Sequence, residues 1–201
     1  ADALYSKAAL ALTQLAEARP DQPIDLVLSL RNYAGFYRSL YCQYLLAGRM
    51  MSFDRFLQET RYPLGRWVDV VEQMGRVKTV KSLTIWSYED FGRLQSQITD
   101  CLVPQLKGGL DWPNEAHHAG LSLQAVGAIQ AREREDPTPR NPEGRKERLR
   151  RARVIRRTYP VGSTYAAFAP WSDAELEDST KRYAHDRLKI EAMRKVTWLS
   201  P

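Results

Sequence analysis

Arg31 and Ser39 are the residues of this chain whose types and spacing best suit the binding of an anion. Arg31 follows an apolar run, Ile24 to Leu30, whose β-branched residues predict a buried strand of a parallel sheet. Open α/β sheets bind ligands beyond the carboxyl ends of their strands, and the N-terminus of the next helix favours a phosphate there. An arginine at this point can hold a phosphate through two parallel N–H donors, and the Ser39 hydroxyl is a further donor.

The same two residues also have a purely structural interpretation. Arg31 would close the end of the sheet and pair with a carboxylate, and Ser39 would be a small residue that allows close helix packing. Residue types and spacing alone leave both interpretations open.

Hydrophobic periodicity predicts the elements that position these residues. In the first half we expect strands at 24–30 and 82–86 and helices over 2–17, 32–46, 52–59, 64–74 and from about 91 to 106. Gly48 would stop the second helix, and Ser52 would cap the third. The alternation of strands and helices predicts an α/β fold, a parallel sheet flanked by helices with crossover connections.

The second half is predicted to be rich in helices. We expect a loop over 107–121, a helix from Ser122 to about 134, an exposed proline-rich loop over 136–144, a basic helix, and a last helix that Ser172 opens. Leu176, Tyr183 and Ile190 would share one face of that last helix. We interpret the chain as a single domain, 1–201, with an α/β core over 1–106 and a helical part over 107–201.

Two strands are too few for a parallel sheet that stands alone. We therefore expect the remaining strands upstream of Ala1, so that the domain is incomplete at its N-terminus.

Positive charge is concentrated in residues 145–157, which hold eight Lys or Arg and one Glu. The chain has a net charge of +6, so the residues outside this segment sum to −1. An anionic partner should therefore be sought at this segment. The alternatives are nucleic acid, an acidic glycan, an anionic surface or a solvated helix face.

Cys42 and Cys101 lie among apolar neighbours in predicted helices, which favours small buried thiols and a cytoplasmic location. No apolar run is long enough for a transmembrane helix. The adjacent His117 and His118 lack the helical spacing of a zinc site, so we expect no metal.

Two motifs together resemble the bacterial sulfotransferase-like family. The first is Arg31 with Ser39 eight residues later, and the second is the strand SLTIW at 82–86 that leads into Tyr88-Glu89-Asp90. They follow each other in the family's order and at a similar separation. The segments 41–56 and 121–123 resemble the family less specifically, and the resemblance covers most of residues 24–135.

This resemblance implies a P-loop sulfotransferase fold and a sulfuryl donor, 3′-phosphoadenosine 5′-phosphosulfate (PAPS). Arg31 and Ser39 would bind the 3′-phosphate, and Tyr88 would lie against the adenine. Arg145, Lys146 and Arg148 would contact the phosphate from the opposite side. They are candidates because of their position in the chain, since no matching motif surrounds them. The acceptor would be a hydroxyl or amine of a glycan or another compound. Residues 107–120 are the candidate loop for binding this acceptor. Nucleic acid is not expected as a partner in this interpretation.

The chain departs from the family in two respects. It lacks the Gly- and Ser/Thr-rich loop that holds the 5′-phosphosulfate, and it has no His before His117 to act as a general base. Either both parts lie upstream of Ala1, where we expect the catalytic residues, or the chain is a diverged relative that no longer transfers sulfate. The alternative function is a non-catalytic module that binds anions through the basic helix.

Overall fold

The computed structural model describes Tyr5, residues 7–106, Trp112 and residues 120–201. The helices are α1 (Ala8–Ala18), α2 (Tyr33–Leu46), α3 (Phe53–Glu59), α4 (Trp67–Gly75), α5 (Phe91–Leu102), α6 (Leu123–Glu135), α7 (Pro142–Thr158) and α8 (Asp173–Glu191). The strands are β1 (Ile24–Leu30), β2 (Val80–Ser87) and β3 (Val196–Trp198). Short 3₁₀ turns follow β2 at Tyr88–Asp90 and α5 at Pro104–Leu106.

The chain divides into two compact units that interleave along the sequence. Unit 1 comprises Ala1–Tyr33, Arg61–Asn114 and Ala174–Pro201, and unit 2 comprises Ala34–Thr60 and Glu115–Asp173. The described strands all belong to unit 1.

Unit 1 is an α/β structure with a parallel sheet in the order β1-β2-β3. Leu83 and Trp86 lie on opposite faces of β2, because side chains alternate along a strand. Trp86 packs against Leu94 and Ile98 of α5. On the other face, Leu83 approaches Gly75 at the end of α4. The sheet is therefore flanked by helices on both faces, as predicted.

Unit 2 is helical and is built around aromatic side chains. Phe56 of α3 is fully buried, and four rings surround it with centroids 5.2–6.3 Å away: Tyr37, Tyr41, Tyr44 and Phe53. The hydroxyl of Tyr41 lies at hydrogen-bond distance from Gln130 of α6 and donates to the carbonyl of Met51. Burial raises the pKa of Tyr41 to about 12, so this hydroxyl keeps its proton at neutral pH.

The predicted helix boundaries are confirmed where a polar cap or a glycine defined them. Ser52 accepts a hydrogen bond from Arg55 N–H, and Ser122 accepts one from Ala125 N–H. Gly48 ends α2 at φ +76°, a conformation that a side chain would strain.

The strand prediction needs two corrections. β3 was missed, because Val196–Trp198 is shorter than the runs that periodicity detects. β1 is less buried than predicted, since Leu30 is its one buried residue. Among the described residues β1 pairs with β2 alone, which leaves it at the edge of the sheet.

Two other predictions were wrong. α7 begins at Pro142, inside the predicted loop, because proline is tolerated at the first helical position and Asn141 caps the helix by accepting from Gly144 N–H. Cys101 is exposed, whereas Cys42 is buried as predicted. As predicted, Leu176, Tyr183 and Ile190 lie on one face of the continuous helix α8, with Leu176 exposed and Ile190 buried.

None of the described helices is long and apolar enough to cross a membrane.

We expect Phe56→Ala to lower the free energy of unfolding by about 3–5 kcal/mol, because it leaves a cavity among the four rings. Urea denaturation followed by circular dichroism measures this loss. Gln58→Ala, on the exposed side of the same helix, is the control and should change stability by no more than about 0.5 kcal/mol. A loss below about 1 kcal/mol for Phe56→Ala would contradict this account of the core.

Candidate functional site

The register of the sheet brings Arg31 and Tyr88 together. Leu30 pairs with Ser87 at the carboxyl ends of β1 and β2, so the next residue of each strand leaves the sheet at the same edge. The guanidinium carbon of Arg31 lies over the Tyr88 ring, 4.4 Å from its centroid. Arg31 of the first motif and Tyr88 of the second are therefore adjacent in unit 1, at the edge where open α/β sheets bind ligands.

The guanidinium of Arg31 has an unused donor. Its Nε is buried and has no hydrogen-bond partner among the described residues. Glu89 Oε1 lies 3.9 Å from this nitrogen, which is within ion-pair range but too long for a hydrogen bond. A buried donor without an acceptor is costly.

Glu89 has a second role at this edge. Its carboxylate accepts a hydrogen bond of 3.2 Å from Asn32 N–H and so connects the end of β2 to the start of α2. Its negative charge also offsets part of the Arg31 charge. Glu89 is therefore both a support for the site and a competitor of an anion for Arg31.

Helix α8 holds the carboxyl edge of the sheet in place. The Tyr183 hydroxyl is within hydrogen-bond distance of the Leu30 carbonyl (3.1 Å) and of Ser87 Oγ (2.9 Å). Ser179 Oγ donates to the amide oxygen of Asn32 at 2.5 Å. Burial raises the pKa of Tyr183 to about 12, so Tyr183 stays neutral while it bridges the two strand ends.

Trp67 and Tyr33 fix the backbone of Arg31. Trp67 Nε1 donates to the Arg31 carbonyl at 2.8 Å, and Trp67 N–H donates to the Tyr33 hydroxyl at 2.7 Å. The Tyr33 hydroxyl in turn donates to Asp186 Oδ2 at 2.5 Å. Burial and this bond to a carboxylate raise the pKa of Tyr33.

Asp186 is the buried acceptor at which the hydrogen bonds of this network end. Its carboxylate is 1% exposed and accepts hydrogen bonds from Tyr33, from the Arg66 guanidinium and from Val68 N–H. Burial alone would raise the pKa of Asp186, but these donors outweigh it and lower the pKa. The carboxylate is therefore charged at neutral pH.

The other predicted site residues belong to unit 2. Ser39 lies half-buried on α2, and Arg145 is exposed on the first turn of α7. Lys146 pairs with Glu143 at 2.9 Å. Arg148 donates to the carbonyl of Gly48 at 2.8 Å and to Thr138 Oγ1 at 2.7 Å. Their roles as donor-binding residues stay predictions.

A local motif indicates the position of Glu89, but none indicates the network of Asp186. Glu89 stands inside the motif Tyr88-Glu89-Asp90, so its position next to Arg31 follows from the pairing of the two strands. Trp67 and Asp186 lie far from Arg31 in sequence, and nothing in their neighbourhoods indicates the contact.

The described residues contain no group of three or more His, Cys, Asp or Glu that could hold a metal ion. His117, His118 and almost all of the predicted acceptor loop lie outside the described residues.

No protein-family model, no curated protein and no solved structure matches this chain. The proposals that follow therefore depend on the residues and their geometry.

We expect Asp186→Asn to lower the free energy of unfolding by about 1–3 kcal/mol at pH 7, because it weakens the hydrogen bonds that the buried carboxylate accepts, while the Arg66 guanidinium is 38% exposed and stays partly solvated. The folded pKa of Asp186 lies below the unfolded value of about 3.9. Its contribution is thus present above that unfolded value and is lost as pH falls through the folded pKa. Urea denaturation from pH 7 to pH 2 measures both effects.

In this experiment the gap between the parent and Asp186→Asn should narrow below about pH 4. Asp100→Asn, at an exposed position of α5, is the control and should leave the curve unchanged within about 0.5 kcal/mol. A gap that stays constant down to pH 2 would show that the charge of Asp186 does not stabilise the fold.

Proposed function

We propose that the protein is a sulfotransferase of the PAPS-dependent type, and that this chain supplies the 3′-phosphate and adenine side of the donor site. The observation that carries the proposal is the Arg31 guanidinium, which stacks on Tyr88 at the carboxyl edge of the sheet with a buried, unpartnered Nε.

The chemistry of Arg31 suits a phosphate group. A guanidinium can present Nε and one terminal nitrogen as two parallel donors, which match two oxygens of a phosphate. The side chain of Arg31 is 25% exposed, so an ion pair with it is less screened than at a fully exposed site. The cation–π contact with Tyr88 holds the guanidinium over the ring, so less further ordering is needed on binding.

Tyr88 suits a purine ring next to that phosphate. It is 49% exposed although Arg31 covers part of its ring, so aromatic surface remains for a base. Aromatic side chains stack on bases without needing hydrogen bonds to them. A ligand with a phosphate and an adenine close together would use both residues at once.

The acceptor oxygen or nitrogen would form a bond to the sulfur of the donor as the bond from sulfur to the 5′-phosphate oxygen breaks; adenosine 3′,5′-bisphosphate would leave, and the proton of the acceptor would pass to water. The role proposed for Arg31 and Tyr88 is to bind and orient the nucleotide. No residue of this chain is proposed as the catalytic base.

Calorimetric titration with adenosine 3′,5′-bisphosphate tests the nucleotide site. We expect binding to the chain, and at least about tenfold weaker binding of adenosine 5′-monophosphate, because the missing 3′-phosphate removes the charged partner of Arg31. Arg31→Ala should weaken binding of the bisphosphate by about 10- to 100-fold and should abolish the preference for the 3′-phosphate.

Two further variants sharpen the test. Glu89→Gln removes the carboxylate 3.9 Å from Arg31 Nε, so it should tighten binding. Arg76→Ala, an exposed cation that pairs with Glu72, is the matched control and should bind like the parent. The proposal fails if the two nucleotides bind equally well, or if Arg31→Ala and Arg76→Ala have the same effect.

A further inference from the structure

The eight cations of the basic segment 145–157 differ in their surroundings. Four of them are held by acceptors of unit 2: Lys146 by Glu143, Arg148 by Gly48 and Thr138, Arg150 by Glu147, and Arg151 by Glu147 and Asp136. The guanidinium groups of the other four have no hydrogen bond or ion pair with any described residue: Arg145, Arg153, Arg156 and Arg157. Most of the uncompensated charge is therefore in the C-terminal half of α7.

Arg153, Arg156 and Arg157 lie on one face of α7, because residues three and four apart in a helix are neighbours. Together with Gly120, Pro160 and Val161 they line a surface depression of about 630 Å³. This volume is within the range of small-molecule sites. The lining of this depression thus consists of three guanidinium groups and a few uncharged residues: Gly120, Pro160 and Val161.

We propose that this depression, the arginine depression, binds a compact polyanion: a small organic molecule with several phosphate or sulfate groups. Three like charges on adjacent turns repel one another, and no described carboxylate forms an ion pair with them within 4.0 Å. Clustered phosphate or sulfate groups offset all three and match the paired donors of each guanidinium. The site is independent of the proposed donor site, since none of its residues is a proposed donor contact.

The distribution of charge favours a compact ligand over a long polymer. A nucleic-acid duplex engages cations that are spread along a surface, each next to a phosphate of the backbone. Here Lys146, Arg150 and Arg151 are already paired with carboxylates, so the free charge does not continue along the helix. Single-stranded nucleic acid needs aromatic rings for stacking, and none lines the depression among the described residues.

Arg156 and Arg157 also have a structural role in the last turn of α7, where cations interact favourably with the negative end of the helix. That role requires positive charge but no concave surface and no ligand. Lysine should therefore replace arginine in the structural role but not in paired-donor binding of an anion.

Calorimetry with inositol hexakisphosphate and with sucrose octasulfate tests the proposal, the first as a phosphate probe and the second as a sulfate probe. We expect at least one of them to bind one-to-one at 150 mM salt, and the tighter probe identifies the anion. The triple variant R153Q/R156Q/R157Q should weaken this binding at least tenfold. The triple Arg→Lys variant keeps the charge and the helix, and should weaken binding at least threefold.

The matched control is R55Q/R132Q/R150Q, which removes the same charge from exposed arginines that pair with a carboxylate within one helical turn. It should bind within twofold of the parent. The proposal is overturned if neither probe binds, if the control weakens binding as much as R153Q/R156Q/R157Q, or if the triple Arg→Lys variant binds like the parent. It is also overturned if a 20-base-pair DNA duplex binds more tightly than both probes through the same three arginines. If R153Q/R156Q/R157Q does not fold, the binding affinity of the triple Arg→Lys variant is the test of the proposal.

Discussion

The candidate donor site depends on the parallel pairing that places Leu30 of β1 opposite Ser87 of β2. A shift of one residue would turn the alternate side chains to the opposite faces of the sheet. Tyr183 contacts both strand ends, and Trp67 holds the carbonyl of Arg31, so the register and the exit direction of the chain are fixed together. With that edge fixed, the Arg31 guanidinium stacks on Tyr88 while its Nε remains buried and without an acceptor.

Local signals in the sequence predicted much of the fold. Ser52 and Ser122 marked helix starts and Gly48 marked a helix end, because capping depends on residues within one turn. The third strand, Val196–Trp198, could not be predicted from the sequence, because three residues show no periodicity. Its pairing with β2 also joins segments more than a hundred residues apart. The start of α7 at Pro142 was also missed, because proline indicates a loop as readily as a first helical turn.

Only two residues of the candidate site, Arg31 and Tyr88, could be predicted from the sequence. Arg31 and Tyr88 were identified by type and position, and strand pairing explains why they meet. Arg31 is held in position by a series of hydrogen bonds from Trp67 through Tyr33 to the buried Asp186. Each of these bonds joins segments that are distant in sequence. A buried carboxylate with three donors has no local signature. Likewise, the density of charge in residues 145–157 was evident, but only the structure separates the paired cations from the arginines of the depression.

The ¹H–¹⁵N resonance of the Arg31 Nε–H group, assigned with an Arg31→Lys variant, reports whether Arg31 binds a 3′-phosphate. We predict that this resonance moves on addition of adenosine 3′,5′-bisphosphate, because the phosphate becomes the acceptor that the buried Nε lacks. Adenosine 5′-monophosphate should leave it nearly unchanged. A resonance that does not move with the bisphosphate, or that moves equally with both nucleotides, would contradict the role of Arg31 in binding a 3′-phosphate.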